Sequence, residues 1–435
     1  MSDTLDRLRR LQGLRRQKKS AEPELPPPPV AASDTRALLH GDVIENAAGA
    51  CYVVTRRYGL ADARGPQPLG ALLERDPDAL AGHFPHFGLH RHLDFTQAAF
   101  IDTETTGLGG GAGIYAFMVG VGTFEADRAA DGDWAFVVRQ FFMRNPAEEG
   151  ALLVALADLL GRYAMTVTFN GRAFDLPLLR TRFRYNAWAP DLDFEAAALL
   201  NEDRPHLDLL MPARRLWRRR LQSCRLINLE QHILGLTRSG DDVPGHLIPQ
   251  IYVDYMRTGN AADINRVFYH NHEDIVTMVG LAEALTRVLG SAPEELREQV
   301  LDGDDWAALA IAFEKRGELA EAEHAYGHAL ETLTAPASRA DVYRRLGALQ
   351  KRRGRWDDAV ATWQQWLSSV PDGDPTPYVE LAKYCEWQSK DYAQAAMWAG
   401  WALHTVQTLP PRQRPAALIA ELEHRLARVK GKIGD

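Results

Sequence analysis

A chain of 435 residues is longer than one ordinary core supports, so two folded units with flanking tails are expected. Its formal net charge of −8 argues against a globally basic nucleic-acid binder, while leaving room for a local basic groove. Cys51, Cys224 and Cys385 lie too far apart for a zinc motif or a disulfide framework, and no apolar run approaches the ~20 residues of a membrane helix or forms a signal-peptide core, so a cytoplasmic protein with no membrane partner is expected.

Residues 1–35 read as a basic, proline-rich flexible arm. Arg7, Arg9, Arg10, Arg15, Arg16, Lys18 and Lys19 accompany leucines at 5, 8 and 11, ahead of Pro26 to Pro29. A solvated tail is the expectation, with contact to nucleic acid as the alternative. Residues 36–97 form a lead-in segment with short strands, where Cys51 to Thr55 alternate as one arm of a hairpin. The stretch from Gly65 to Phe95 carries no assignable pattern. The region 98–290 then follows a readable order. Ala98 to Ile101, Ile114 to Thr123 and Trp134 to Met143 are apolar, aromatic and β-branched runs, hence strands. A helix starts at Asn145-Pro146 and runs to Leu160, with Glu148 and Glu149 near its positive end. Thr166 to Phe169 is a strand, Asp175 to Phe183 a helix and His206 to Leu210 a short strand. Helices follow around Asn228 to Leu234, Pro249 to Arg257 and Ala261 to Leu289. Hairpin-linked strands followed by alternating helix and strand imply an α/β fold, a mixed sheet flanked by helices.

From 302 to 432 the pattern is all-α. The run around Phe313, Gly317 and Ala322 recurs around Gln350, Gly354 and Ala359, then around Trp387, Lys390 and Ala395. Four and seven residues past each alanine stand Tyr326/Ala329, Trp363/Trp366 and Ala399/Ala402, one packing face of a helix. These copies resemble tetratricopeptide repeats, whose period is ~34 residues. That resemblance implies helical repeats that contact a protein partner.

The chemistry centres on the first strand of the 98–290 region. Asp102 and Glu104, two residues apart at its end, leave on one face and converge. Beside the glycine-rich stretch from Gly109 to Gly113 they suit a hard divalent cation carrying a phosphate; the plain alternative is an acidic turn. Two further acidic contexts follow. In one, a strand ends at Asn170-Gly171 and Asp175 opens the next helix. In the other, Asp274 sits in a helical pattern with His270 one turn earlier on the same face.

Together these residues resemble the DEDD superfamily of 3′-to-5′ exonucleases, with their ribonuclease-H-like fold. Asp102-x-Glu104 with Thr105 is similar to its first motif, Asn170-x4-Asp175 to its second and Asp274 to its third. The extended pattern is similar to the bacterial YprB-like ribonuclease-H-like domain family. It includes Thr-Gly-Leu ahead of the glycines, His206-x-Asp208, the Leu226 to Glu230 helix and the late Asn-x-x-Asp. The resemblance implies that Asp102, Glu104, Asp175 and Asp274 ligate two Mg²⁺ or Mn²⁺ ions, which would offset their mutual repulsion and support in-line displacement at a phosphodiester. It implies single-stranded nucleic acid, DNA or RNA, as substrate, with Thr105 and Leu108 at the terminal nucleotide. Asn170 stands between two roles, a donor to the nucleotide and a cap on its turn. For proton transfer the family uses histidine five residues before the last aspartate or tyrosine four before; here Tyr269 and His270 exchange those places. His270 is the expected acceptor, because an imidazole titrates near neutrality. The arginine-rich run holding Arg215, Arg218 and Arg219, with Trp217, is read as a phosphate-tracking surface. A lapsed nuclease core that only binds or scaffolds is the alternative. An internally cutting transposase-like or resolvase-like relative is a third class.

Overall fold

The computed structural model describes residues 40–89, 93–107, 113–126, 134–192, 200–293, 295–296, 301–371 and 373–434. The expected arm at 1–35, Leu108 and most of the glycine stretch lie outside the described residues. The rest gathers into two compact units that are discontinuous in sequence. One holds the described residues up to Glu74 with Leu93–Asp208 and Glu230–Gly280. The other holds those of Arg75–His92, Leu209–Leu229 and Leu281–Asp435.

The first unit is built on seven strands: β1 (Asp42–Asn46), β2 (Gly49–Gly59), β3 (Ala98–Thr105), β4 (Ala116–Ala126), β5 (Trp134–Phe142), β6 (Met165–Thr168) and β7 (His206–Asp208). Their order is β1-β2-β5-β4-β3-β6-β7. Pairing is antiparallel from β1 across to β3 and parallel from β3 through β6 to β7, the mixed sheet expected. The lead-in hairpin is part of this sheet, since β2 pairs with β5 from Tyr52↔Phe142 to Gly59↔Ala135. Four consecutive buried residues, Cys51 to Val54, explain why: both faces of β2 need cover.

Six helices follow in the chain: α1 (Glu149–Leu160), α2 (Asp175–Tyr185), α3 (Leu210–Trp217), α4 (Leu226–Ile233), α5 (Ile248–Thr258) and α6 (Ala262–Gly290). Stacked Phe117 and Tyr252 (ring centroids 4.0 Å apart) and the Phe142–Phe268 contact seat α5 and α6 on the sheet. Asn145 caps the turn before α1 by accepting from the Ala147 amide at 3.0 Å. Glu149 stands in the first turn of α1, as expected. It is buried against Arg182 of α2 at 2.5 Å, and the Asn186 amide adds a bond at 2.9 Å. A fully desolvated pair of this kind costs ~3–5 kcal/mol when one partner is removed.

The second unit contains α7 (Gly303–Arg316), α8 (Leu319–Thr332), α9 (Pro336–Arg352), α10 (Trp356–Ser369), α11 (Thr376–Trp387), α12 (Tyr392–Thr408) and α13 (Ala416–Gly434). The recurring positions Ala322, Tyr326, Ala329, Ala359, Trp363, Trp366, Ala395, Ala399 and Ala402 are all buried. The turns between α7 and α8, α9 and α10, and α11 and α12 share one backbone device. Gly317 (φ +84°), Gly354 (φ +75°) and Lys390 (φ +56°) are each left-handed, and only the lysine carries a Cβ into that region. Glu386 of α11, fully buried, accepts from Arg425 (2.6 Å) and Arg428 (2.7 Å) of α13 and lies 3.4 Å from Lys432.

Candidate active site

β3 lies where the sheet changes from antiparallel to parallel pairing, and its apolar half, Ala98 to Ile101, is fully buried. The strand then delivers Asp102 opposite Gly120 and Glu104 opposite Met118, with a bulge between Glu104 and Thr105. Asp175 arrives from the first position of α2 and is pinned by β3 itself. Its Oδ1 accepts from the Thr103 amide at 3.0 Å and the Thr103 hydroxyl at 2.5 Å. Asp274 comes from α6. Burial, then the charges of Asp274 and Asp175, push the Asp102 carboxyl well above its ordinary range. Burial followed by Asp102, Asp274 and Asp175 does the same to Glu104. Burial raises Asp175 to about 6 against the pull of the Thr103 bonds. The four expected carboxylates thus act on one another at one place.

Asp102, Thr103, Glu104, Thr105, Asn170 and Asp175 line a cavity of about 730 Å³, closed on its other sides by Phe174, Leu178, Thr181 and Pro249. Thr105 presents its hydroxyl to the Gly107 carbonyl at 2.8 Å. Asn170 has φ +67°, and the turn it occupies is held from outside: Asp208 accepts from the amides of Asn170 (2.8 Å) and Arg172 (3.1 Å). The cap is therefore Asp208, and the Asn170 side chain lines the cavity. His206, two residues earlier, bonds the Thr168 hydroxyl at 2.8 Å, and burial drops its imidazole to about 3.

Two supporting groups, Arg238 and Asp242, escaped the motif-based reading, whereas Asn271 belongs to the late Asn-x-x-Asp motif. Arg238 is buried among carboxylates, bonding Glu230 through Nε at 2.8 Å and Asp274 through Nη2, with Nη1 3.4 Å from Asp242. Asp242 also accepts from His270 Nδ1 at 2.7 Å, which leaves Nε2 3.6 Å from Asp274. Tyr269 instead receives the Ser239 amide at its hydroxyl, 2.9 Å away. Asn271, wholly buried, donates to Asp102 Oδ2 at 2.8 Å while Gln140 donates to Asn271 Oδ1 at 2.9 Å. Gly120 makes that bridge possible, because a Cβ there would stand 2.3 Å from Asn271 Oδ1. Glycines at 120 and 122 inside an apolar strand were the available signal.

Arg215 and Arg219 have local partners in the second unit. Arg215 covers the Phe84 ring and donates to the His83 carbonyl; Arg219 pairs with Asp341 at 3.0 Å and Asp304 at 3.6 Å. Arg218 is exposed.

Among the described residues no three His, Cys, Asp or Glu side chains stand at metal-holding spacing as they are. Asp274 is turned to Arg238, Asp175 to Thr103 and Asp102 to Asn271. The donor chemistry nonetheless fits a hard divalent cation: oxygen-only carboxylates, of which Asp102 and Glu104 are lifted toward protonation by burial and then by the acids around them, with Arg238 as the cation among them.

A mixed sheet flanked by helices, with an acidic cluster at the strand where its pairing changes, is a ribonuclease-H-like arrangement. Residues 99–286 match a model described as the RNase_H superfamily, and this match suggests a nuclease. The chain is also 28% identical over 345 residues to the uncharacterized protein YprB of Bacillus subtilis (strain 168), spanning 77% of this chain and 74% of that protein. Among the described residues, no helix is long and apolar enough to cross a membrane.

Proposed function

We propose that the chain is a metal-dependent 3′-to-5′ exonuclease acting on single-stranded DNA or RNA, with the catalytic unit spanning 98–290 and repeats of tetratricopeptide type at 302–432 available to a protein partner. The observation that carries this reading is the meeting of Asp102, Glu104, Asp175 and Asp274, from three separate stretches of chain, beside an open cavity. Those four residues would hold the ions, Mg²⁺ or Mn²⁺. Bound there, two divalent ions supply a nucleophile at neutral pH and charge stabilisation for the leaving 3′ oxygen.

The protein's own part is positional. Thr103 and Asn271 fix the directions of Asp175 and Asp102. Asp242 accepts a hydrogen bond from His270 Nδ1, which leaves the Nε2 lone pair on the side of Asp274 as the atom to accept a proton. Asn170 and Thr105 line the space for the strand's terminal nucleotide, and Leu108 is the residue proposed to meet its base. A cytoplasmic setting agrees with three unpaired thiols. A second reading, a lapsed core that binds without cutting, draws on Arg238 at Asp274, where a cation already stands.

Degradation of end-labelled single strands with either the 3′ or the 5′ end blocked, with Mn²⁺ or EDTA, separates the readings. Mn²⁺-dependent shortening that only a 3′ block stops, and that Asp102→Asn with Glu104→Gln lowers by ~10³-fold or more, is the expected result. Binding with no hydrolysis by the parent chain would establish the lapsed reading.

A further inference from the structure

Among the described residues, the three most exposed large apolar side chains fall within one short stretch of the first unit: Trp188 at 76%, Phe174 at 61% and Tyr185 at 59%. Isolated exposed aromatics need no explanation, but their placement here is regular. Phe174, Leu178, Thr181 and Tyr185 follow a spacing of four, three and four, so they share one face of α2, and Trp188 follows three residues later in the turn after it. The exposed rings of this face lie opposite the core side of the helix, where Leu176, Leu179 and Phe183 are buried, while Leu178 between them is buried as well. A helix of a globular protein ordinarily carries polar residues there.

The first half of the face, Phe174 to Thr181, is a wall of the carboxylate cavity, and Tyr185 continues it outward. The backbone that carries the outer rings is anchored. Arg182 lies 4.9 Å from the centre of the Tyr185 ring while its own charge is locked to Glu149. Trp188 stands in a turn closed by the Ala189 amide on the Asn186 carbonyl at 2.8 Å, and Asn186 is itself anchored to Glu149. Exposed aromatic rings carried on an anchored backbone serve as stacking platforms. Positive charge runs alongside: Arg172 and Arg184 are exposed, and after burial their charges add to what disfavours the charged form of Arg180.

We infer that the α2 face Phe174–Tyr185–Trp188, flanked by Arg172 and Arg184, is the track along which a single-stranded nucleic acid leaves the carboxylate cavity. The inference rests on the proposed nuclease reading and specifies where that site holds the strand beyond its terminal nucleotide. Aromatic faces accept any base and flanking guanidiniums follow the phosphates, so the track is sequence-tolerant. From Phe174 to Tyr185 the helix rises ~16 Å, a span of up to about five nucleotides at a stacked rise of ~3.4 Å. Length dependence follows directly: a trimer is held by the cavity alone, whereas a longer strand also reaches Tyr185 and Trp188.

The test is binding of fluorescein-labelled oligothymidylate and oligouridylate, 3 and 12 nucleotides long, to the full chain in EDTA at one fixed salt concentration. Trp188→Ala and Tyr185→Ala are each expected to weaken the 12-mer about ten-fold and the trimer less than two-fold. Trp188→Phe is expected to restore most of the loss, and Trp401→Ala, an exposed tryptophan of the second unit, to change nothing. Equal losses on both lengths, an equal loss in Trp401→Ala, no loss at all, or no binding by the parent chain would overturn the track. The nuclease reading fails separately: a parent chain that binds the 12-mer through Trp188 but leaves it uncut in Mn²⁺ keeps the track and removes the exonuclease.

Discussion

Buried acids meet opposite fates in the two units. In the second, a single carboxylate, Glu386, gathers three cations, and hydrogen bonds from Arg428 foremost hold it below the ordinary glutamate range. Glu380 behaves alike, held low despite burial by Lys351 and Lys383. In the first, burial pushes Asp102, Glu104 and Asp175 upward, neighbouring acids add to the rise of Asp102 and Glu104, and Arg238 is the cation the structure brings to those two. The electrostatics of the helical unit close on themselves. Those of the sheet unit are left in deficit at one point, and a deficit of that kind marks a site where charge arrives from outside.

The strongest way to break this comparison is to neutralise one acid in each unit and measure unfolding. Glu386→Gln leaves buried Arg425 without its anion and is expected to cost ~3–5 kcal/mol, whereas Asp102→Asn relieves like-charge repulsion and leaves stability unchanged or higher. Loss of comparable size in both would erase the distinction. Next in size is Asp242→Asn, which removes the acceptor that fixes His270. Hydrolysis by the proposed nuclease is expected to fall about 10- to 100-fold, and the ¹⁵N shifts of His270 to report a changed tautomer. An unchanged rate would detach Asp242 from the chemistry.

A smaller effect probes the exception within the second unit. Burial pushes Asp305 up to about 7, because Arg220, although 3.3 Å away, makes no hydrogen bond to it. The folded chain therefore keeps a proton that the unfolded chain gives up near its ordinary 3.8, so this group's effect on stability turns steadily unfavourable as pH rises from about 4 to about 7. Asp305→Asn is expected to raise Tm relative to the parent by an amount that grows across that window, at ~2–4 °C for each kcal/mol. A gain independent of pH would remove Asp305 as the cause. Smallest is Lys390→Gly, which relieves the left-handed lysine at φ +56° and is expected to stabilise by roughly 1 kcal/mol in denaturant titration.

What was legible in the sequence was local. Asp102 and Glu104 could be paired because strand side chains repeat every second residue, and the helical copies because glycine, alanine and aromatic positions recur at a near-constant interval. Lys390 stood out as the odd turn residue, and the backbone there takes the same left-handed turn with a side chain attached. What was illegible depends on long reach. Arg238 lies 36 residues from Asp274 and carries no pattern of its own. Asp242 meets His270 across 28 residues. Glu149, rightly placed at a helix start, is also the buried partner of Arg182, 33 residues away. The hairpin of β1 and β2 read as a preface, although the run of buried residues in β2 required a second strand to cover it.

The claim that the first unit's acids await a divalent cation is tested most directly by thermal unfolding of the full chain at neutral pH in Mn²⁺ and in EDTA, with the parent beside Asp102→Asn/Glu104→Gln. The account predicts that saturating Mn²⁺ stabilises the parent by ~2.7 kcal/mol at a hundred-fold excess over Kd, read as a rise of several degrees in Tm, and leaves the double variant unmoved. An equal shift in both proteins, or none in the parent, would contradict it.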